Sequence, residues 1–377
     1  MYLERLILQK YRNYEFLDQI FKAQVNILIG LNAQGKTNLL EAVYYLTGGK
    51  TYRAARDQQL KNWDAPYFIV KGILQNKLGQ KEIEIRYRED RPSSKEIRIN
   101  GVTIRKTSEL FGQLTAVLFA PEDLSMIKGA PAERRRLLDY DISQVSPIYY
   151  SKLQKHNRLL NQRNHLLKRH WEKRRQLAEL EVWNEQYLQA CVDIVNKRVQ
   201  ALEKLAPLAR LMQRRLTAGQ ESIEIKYMLC RKYEVKKVEE IRELLIKEMN
   251  SMEEEEIRRG LTLWGPQRDD LKILVNGTDL KLFGSQGQHR TAVLAIKLAE
   301  LEFFKAETGE YPILLLDDVL SELDQKRREQ LIDTIRDRNI QCFITTTEDL
   351  EFNKDEQTTV QKYYIRQGTI KEMECES

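Results

Sequence analysis

The sequence predicts an α/β fold formed by both ends of the chain, with a mainly helical insertion between them. Strand-like runs and turn signals alternate in the first third of the 377 residues and again in the last third. Over residues 147–215, leucines instead recur at helical spacing, and glycine and proline are almost absent. We therefore expect residues 1–120 and 258–377 to form the α/β unit, and residues 121–257 to form the insertion.

The composition excludes several classes of protein. The chain is 42% hydrophobic and 31% charged, which is too apolar for a disordered protein. Its four cysteines are far apart and show no CxxC spacing, so a disulfide scaffold or a zinc finger is not expected. The first residues carry charges throughout, and no apolar run approaches the length of about 18 residues that a membrane span needs. We expect a cytoplasmic protein that does not enter the membrane.

Each element of the α/β unit has its own local signal. Val25 to Ile29 is a short β-branched run of the kind found in buried parallel strands, and residues 68–74, 82–88, 95–105 and 117–119 resemble further strands. Asn-Gly pairs at 100–101 and 276–277 predict hairpins. In the last third, residues 290–305 and 325–338 have helical periodicity, and residues 312–316 and 340–345 predict buried strands.

Residues 30–37 match the phosphate-binding pattern G-x-x-x-x-G-K-[ST], between a predicted strand and a predicted helix. Such a loop turns backbone N–H groups toward one anion, and the helix start adds positive potential. Chance alone gives this pattern in roughly one chain of this length in a hundred, and the flanking elements make chance a poorer explanation. The predicted nucleotide contacts are Gly30, Leu31, Asn32, Ala33, Gln34, Gly35, Lys36, Thr37 and Asn38.

A predicted strand ends in two carboxylates, Asp317 and Asp318, about 280 residues after the loop. Taken alone, the pair could equally be a strand followed by a helix cap. Beside a phosphate loop, the pattern favours a Mg²⁺ site in which Thr37 and Asp317 hold the ion. We expect Asp318 to polarise the attacking water and Lys36 to contact the phosphates, so that both act in catalysis, with slow hydrolysis because aspartate is short.

Two further segments resemble motifs of ABC-type ATPases. Residues 283–288 (FGSQGQ) precede a long predicted helix and are similar to the signature motif, and residues 321–324 (SELD) are similar to the D-loop. The resemblance implies an ABC-type head that pairs head to tail with a second copy. In such a pair, the signature of one copy closes over the nucleotide of the other. The residues implied in this contact are Ser285, Gln286, Gly287, Gln288 and Asp324.

Within that class, the chain resembles the RecF family, which is related to SMC-type ATPases. The resemblance is carried by four more segments in the family's order: residues 11–14 (YRNY), 121–124 (PEDL), 134–139 (RRRLLD) and 264–270 (WGPQRDD). The chain departs from the family at Gln267, where histidine is usual. It also has threonines at 345–347, where ABC transporters have the switch histidine.

The resemblance implies an ATP-controlled DNA clamp. ATP would drive formation of a homodimer on DNA at gaps or single-strand–double-strand junctions, and hydrolysis would reopen it. The dimer would act with the RecO and RecR proteins to load recombinase, and would serve DNA repair, replication restart and the SOS response. The activity implied is a weak, DNA-stimulated ATPase that uses ATP and Mg²⁺. By analogy with SMC-type heads, Arg53 is a further candidate nucleotide contact.

The insertion concentrates positive charge, although the whole chain is only +6. Residues 128–215 hold 19 Lys and Arg against 9 Asp and Glu, which leaves the rest of the chain mildly acidic. A stripe on one predicted helix could track a phosphate backbone, and the alternative is a solvated helix face. The residues predicted to bind DNA are Lys152, Lys155, Arg158, Arg163, Lys168 and Arg169.

The sequence leaves alternatives open, both for the arginines at 134–136 and for the function of the whole chain. Residues 134–136 could pair with Asp139 and Asp141 on their own helix and need not contact a ligand. An ATPase subunit of a membrane transporter is opposed by the missing switch histidine and by the basic insertion. A structural SMC-like rod is opposed by the length of the insertion, which is too short for long coiled-coil arms. A P-loop kinase is opposed by the signature and D-loop resemblances.

Overall fold

The structure is a computed structural model that describes residues 1–53, 56–77, 79–90, 94–173, 177–348 and 359–372, without the side chains of 169–173, 177–179, 322 and 372. The chain divides into two compact units. The first contains Met1–Asp123 and Glu300–Ser377, and the second contains Leu124–Ala299.

The strands of the first unit fall in two segments of the chain. They are β1 (Tyr2–Tyr11), β2 (Tyr14–Ile20), β3 (Val25–Ile29), β4 (Tyr67–Asn76), β5 (Gly79–Arg88), β6 (Lys95–Ile99), β7 (Val102–Thr103), β8 (Ala116–Phe119), β13 (Ile313–Asp317), β14 (Cys342–Thr346), β15 (Val360–Arg366) and β16 (Thr369–Glu372). The strands of the second unit are β9 (Ile223–Leu229), β10 (Tyr233–Glu234), β11 (Asp270–Val275) and β12 (Thr278–Asp279).

The α-helices lie in both units. They are α1 (Lys36–Gly48), α2 (Ser125–Lys128), α3 (Pro131–Val145), α4 (Pro147–Lys173), α5 (Leu177–Leu216), α6 (Ile241–Arg259), α7 (Leu280–Phe283), α8 (Gln286–Thr308) and α9 (Gln325–Asp337). The boundary between the units falls within α8.

A six-stranded sheet in the order β16-β15-β3-β14-β13-β8 forms the centre of the first unit. The pairs from β15 to β8 are parallel, and only β16 runs antiparallel to its neighbour. Every residue of β3, β13 and β14 is buried, which explains their continuous apolar sequences. The carboxyl ends of these parallel strands meet at one edge, where ligands of open α/β sheets bind.

A second, antiparallel sheet in the first unit has the order β2-β1-β4-β5-β6-β7. The predicted hairpin forms between β6 and β7, and its turn residues Asn100 and Gly101 have φ angles of 49° and 78°. The helix α1 packs against both β4 and β13, so it is buried along most of its length. Its position fixes the loop that precedes it.

The second unit combines packed helices with a small sheet. The helix α4 packs on α5, α6 packs on both, and β9 lies between β10 and β11 in the order β10-β9-β11-β12. The predicted second boundary at residue 258 differs from the structure, because β11 pairs with β9 and thereby joins residues 258–299 to this unit. Sequence reasoning also missed β9 itself, since the prediction for residues 121–257 was mainly helical.

Candidate nucleotide-binding site

The loop between β3 and α1 has a backbone that its glycines permit. A Cβ atom at Gly30 would lie 2.4 Å from the carbonyl oxygen of Ile365, which is too close for any side chain. Gly35 has φ 118°, and a Cβ there would lie 2.7 Å from the Asn13 side-chain amide. Ala33 also has a positive φ, of 63°. Both glycines of the sequence pattern are therefore required for steric reasons.

Neighbouring turns hold this loop. In the turn between β1 and β2, the Asn13 amide donates to the Gln34 carbonyl (2.9 Å) and the Tyr14 hydroxyl donates to the Gly35 carbonyl (3.0 Å). In the turn between β15 and β16, the Gln367 backbone N–H donates to the Gln34 side chain (2.8 Å). The family segment at residues 11–14 thus has a physical role, since it braces the candidate phosphate loop.

Lys36 lies between the loop and the acidic pair. Its side chain is 7% exposed, and its Nζ donates to the carbonyl oxygens of Gly30 (2.5 Å) and Leu31 (3.0 Å). Burial lowers the pKa of Lys36, and the negative charges of Asp318 and Asp317 oppose that effect. A cation held in this way is suited to receive anionic phosphate oxygens.

Asp317 joins the strand β13 to the phosphate loop. Its Oδ1 accepts hydrogen bonds from the hydroxyls of Thr37 (2.8 Å) and Thr345 (2.9 Å), and its Oδ2 accepts one from Tyr52 (3.2 Å). The side chain is only 5% exposed. The strand order explains the contact, because β14, which carries Thr345, lies between β3 and β13.

The adjacent oxygens of Thr37 and Asp317 are hard donors of the kind that Mg²⁺ takes as ligands, and the Mg²⁺ site stays a prediction. Across the described ranges, no group of three or more His, Cys, Asp and Glu side chains could hold a metal.

Asp318 has a left-handed backbone with φ 55°, which is unfavourable for residues other than glycine. Its backbone N–H donates to the Thr345 hydroxyl (2.8 Å), and its side chain is exposed. The carboxylate predicted to act on water is therefore accessible.

Sequence reasoning missed a buried acid beside this loop. Glu41 is fully buried in α1, accepts two hydrogen bonds of 2.9 Å from Arg12, and accepts another from the Thr51 hydroxyl. Two residues after Thr51, the guanidinium of Arg53 donates to the side-chain oxygen of Asn38 (3.3 Å). The only sequence signal for Glu41 was an acidic residue on an otherwise apolar helix.

The predicted signature residues begin α8 in the second unit. The Ser285 hydroxyl accepts a hydrogen bond from the Gln288 backbone N–H (3.2 Å), and the Gln288 side chain accepts one from the Ser285 N–H (3.0 Å). This reciprocal capping box starts the helix. Ser285, Gln286 and Gly287 are exposed, while Gln288 is half-buried and also donates to Glu221 (3.0 Å).

Asp324 caps α9 in the first unit. Its side chain accepts from the Arg327 backbone N–H (3.0 Å) and pairs with the Arg327 guanidinium. The preceding Ser321 hydroxyl donates to the Asp318 carbonyl (2.8 Å), so this segment is attached directly to the acidic pair. A nucleotide role for Asp324 stays a prediction.

The predicted DNA-binding stripe lies on α4 but is shorter than expected. Lys155, Arg158 and Lys168 are exposed, and Lys152 is half-exposed and pairs with Asp193 (3.1 Å). The side chain of Arg169 lies outside the described residues. Arg158 lies three residues after Lys155, and Lys168 lies ten residues after Arg158, so the exposed cations span about 20 Å of helix.

Arg163 corrects the predicted stripe. It is 2% exposed and forms an ion pair with Glu256, which is 1% exposed, through N–O distances of 3.1 and 2.6 Å. It also donates to Asn184 (2.8 Å) and to Thr262 (2.8 Å), and its guanidinium lies 5.4 Å from the Trp264 ring centre. The prediction that Arg163 binds DNA is therefore wrong, because its charge is already used inside the second unit.

The family segments 134–139 and 264–270 form buried contacts in the second unit. Arg134, 4% exposed, forms two hydrogen bonds with Asp270 (2.7 and 3.0 Å), and Arg135 donates to the Asp269 carbonyl (2.5 Å). Asp139 pairs with Arg198 (2.8 and 2.9 Å). Arg134 therefore does not pair with an acid of its own helix, which was the alternative left open by the sequence.

Gln267 lies in the same buried region. Its side-chain oxygen accepts from the Tyr187 hydroxyl (2.9 Å), and its amide donates to the Trp264 carbonyl (2.6 Å). One acceptor and one donor are thus needed at this position. A histidine ring also supplies one of each, so it could meet the same two needs.

Comparison with known protein sequences gives a consistent result. The family model described as RecF/RecN/SMC N terminal domain matches residues 2–371. The DNA replication and repair protein RecF of Halothermothrix orenii is 42% identical over 375 residues, which cover 98% of each chain. The protein of the same name from Acetivibrio thermocellus is 42% identical over 349 residues, 92% of this chain and 94% of the relative.

Solved structures agree with the sequence relatives. Two structures of a recombination mediator protein, described as RecF-ATP and RecF-ATPrS in the RecFOR pathway, have TM-scores of 0.90 and 0.89. Each is 35% identical, and the match covers 99% of this chain and 98% of that one. A Smc head domain from Pyrococcus furiosus, 18% identical with a TM-score of 0.56, shares the fold alone. The predicted ABC-type ATPase fold is thus confirmed.

Within the part of the chain that the structure describes, the helices are too short or too polar for any of them to cross a membrane.

Proposed function

This chain belongs to the RecF family of DNA replication and repair proteins, and on that premise we propose that it is an ATP-dependent DNA clamp of recombinational repair. ATP binding joins two copies head to tail around DNA at a gap or a strand junction. The clamp acts in the cytoplasm with RecO and RecR to load recombinase, and it supports replication restart and the SOS response. Slow hydrolysis resets it.

The hydrogen bond between Thr37 and Asp317 carries the proposal. It brings together a phosphate loop and an acidic strand that are 280 residues apart in the chain, at the sheet edge where nucleotides bind. Two relatives that cover nearly the whole chain are described with ATP or ATPrS. Together these observations support ATP as the ligand and Mg²⁺ as its ion.

The residues of the site divide the work. The loop amides and the start of α1 bind the phosphates, and Lys36 balances the charge of the β- and γ-phosphates. Mg²⁺, held by Thr37 and Asp317, would supply positive charge to the phosphate oxygens. The exposed carboxylate of Asp318 is positioned to orient water and accept its proton. The acceptor is a single short carboxylate, in keeping with a switch that turns over slowly.

The exposed signature segment supports the head-to-tail pair. Ser285 and Gly287 are exposed at the start of α8, so that their donors are available to a nucleotide on a second copy. The Ser285 hydroxyl accepts one hydrogen bond and keeps its own proton for donation. The contacts at Gln286, Gln288 and Asp324 belong to the same proposal.

The exposed cations of α4 support the DNA contact. Lys155, Arg158 and Lys168 present charge that no ion pair among the described residues neutralises. Such contacts are to phosphates and make binding sensitive to salt but not to sequence. They favour a clamp that recognises the structure of DNA, as a protein acting at gaps and junctions must.

The proposal is tested by fluorescence anisotropy on a gapped duplex, together with light scattering, with and without ATP. We expect Lys36→Ala to lose ATP binding, ATP-dependent dimer formation and the ATP-dependent part of DNA affinity. The exposed Lys22 of the same unit, changed to alanine, should behave like the wild type. Wild-type protein that neither binds the duplex at low salt nor hydrolyses more ATP in its presence would refute the proposal.

A further inference from the structure

Thr345 is placed to control both carboxylates of the candidate site with one hydroxyl. It lies at the end of β14 and is 1% exposed. Its Oγ1 donates to the Asp317 side chain (2.9 Å) and accepts the backbone N–H of Asp318 (2.8 Å). The hydroxyl thus contacts two consecutive acidic residues, and the Leu316 carbonyl lies farther away, at 3.5 Å.

The strand register makes this placement exact to one residue. In the parallel pairing of β13 with β14, Thr345 lies opposite Asp317, and on its other side it lies opposite Leu28 of β3. A side chain one position away would point to the other face of the sheet. The hydroxyl of the adjacent Thr346, by contrast, bonds to the backbone of Glu348.

The backbone of Asp318 needs such support. Its φ of 55° is a left-handed conformation that persists only where surrounding contacts impose it. The hydrogen bond from its N–H to Thr345 holds the peptide that precedes the left-handed residue, and the Ser321 hydroxyl holds the carbonyl that follows it. The orientation of the following side chain depends on that peptide.

We infer that Thr345 is a positioning residue for ATP hydrolysis, because its hydroxyl binds both Asp317 and the backbone of Asp318 and so helps to fix the left-handed conformation from which the exposed Asp318 carboxylate projects. The inference rests on the proposed function, since it assigns a role within the same ATP site. Thr345 itself does not touch the reacting atoms. It acts through Asp318, and its loss should change the rate of the chemical step more than the binding of ATP.

Two substitutions separate the hydroxyl from the shape of the side chain. Thr345→Val keeps the branched shape and removes both hydrogen bonds, whereas Thr345→Ser keeps the hydroxyl and removes a methyl group. We expect kcat of the valine variant to fall roughly 10- to 100-fold, in line with the cost of misplacing a catalytic group. The affinity for a fluorescent ATP analogue should change by less than about threefold, and serine should restore most of kcat.

A double-mutant cycle tests whether Thr345 acts through Asp318. In an Asp318→Asn background, adding Thr345→Val should cause little further loss of kcat, because the group being positioned is already disabled. Full additivity of the two losses would overturn the inference, as would a valine variant that hydrolyses ATP at the wild-type rate.

Hydrogen–deuterium exchange gives a readout that needs no turnover. In nucleotide-free protein, a peptide that covers residues 313–320 should exchange faster in Thr345→Val than in the wild type or Thr345→Ser, because the Asp318 amide has lost its acceptor. Unchanged exchange overturns the inference even if the ATPase proves inactive. Conversely, if Thr345→Val exchanges faster but the wild type does not hydrolyse ATP, the proposed function fails and the role of Thr345 in holding the backbone stands.

Discussion

Replacing Arg163 with methionine should destabilise the second unit and leave the DNA surface intact. Arg163 and Glu256 are 2% and 1% exposed, so removing the cation leaves a buried carboxylate that keeps only the Leu263 N–H (2.7 Å) and the Trp264 indole (3.3 Å). Breaking a buried pair in this way costs about 3–5 kcal/mol. At about 2–4 °C per kcal/mol, the unfolding midpoint of this unit should fall by roughly 6–20 °C.

The assay combines thermal unfolding by circular dichroism with DNA binding measured well below the midpoint. Lys155→Met on the exposed face of the same helix is the matched control, and its stability should stay within about 0.5 kcal/mol of the wild type. Adding Glu256→Gln to Arg163→Met should recover a large part of the loss, because no buried charge is then left alone. An Arg163→Met protein as stable as the control but unable to bind DNA would refute this reasoning.

Three further predictions concern the same unit. Reversing Lys155 and Arg158 to glutamate should weaken DNA binding and lower the slope of log K against log salt by about 2, whereas Lys237→Glu should do neither. Binding titrations at several salt concentrations measure both quantities, and equal effects of the double reversal and of Lys237→Glu would contradict the predicted stripe. Burial lowers the pKa of His156 to about 4, so the stability that the neutral ring contributes is present above pH 6.5 and is lost as pH falls through 4. In urea melts, the difference in unfolding free energy between the wild type and His156→Gln should therefore shrink by up to about 3 kcal/mol between pH 7 and pH 4. A difference that stays constant with pH would contradict this prediction. Gln267→His should keep the free energy of unfolding within about 1 kcal/mol of the wild type, and Gln267→Leu should lose more, because only histidine keeps a donor and an acceptor. Equal unfolding midpoints for the two variants would show that these two hydrogen bonds do not matter.

Local sequence patterns predicted the parts of the fold that depend on neighbouring residues. The buried run at Val25–Ile29, the Asn-Gly hairpins and the phosphate loop all appear in the structure, because strand periodicity, left-handed turns and helix starts are set within a few residues. The boundary at residue 258 could not be found in this way. It depends on the pairing of β11 with β9, about 45 residues away in the chain, which composition does not reveal.

The charged residues of the insertion show the same limit. Arg163 fitted the basic stripe because helical spacing places it near Lys155 and Arg158, but spacing does not say which neighbours another helix brings. Glu256, 93 residues later, turns Arg163 into a core residue. Likewise, the threonines at 345–347 looked only like a departure from ABC transporters. The strand register is what gives Thr345 its contacts with the acidic pair.

The measurement that most directly tests the clamp is sedimentation of wild type and Ser285→Arg with ATP and gapped DNA. Thr278→Arg, at an exposed position of β12 in the same unit, serves as the control for an added cation. The head-to-tail account predicts that Ser285→Arg binds ATP with wild-type affinity but remains a monomer, while the wild type and the control form dimers on DNA. Dimer formation by Ser285→Arg at the ATP concentration that dimerises the wild type would contradict the head-to-tail account.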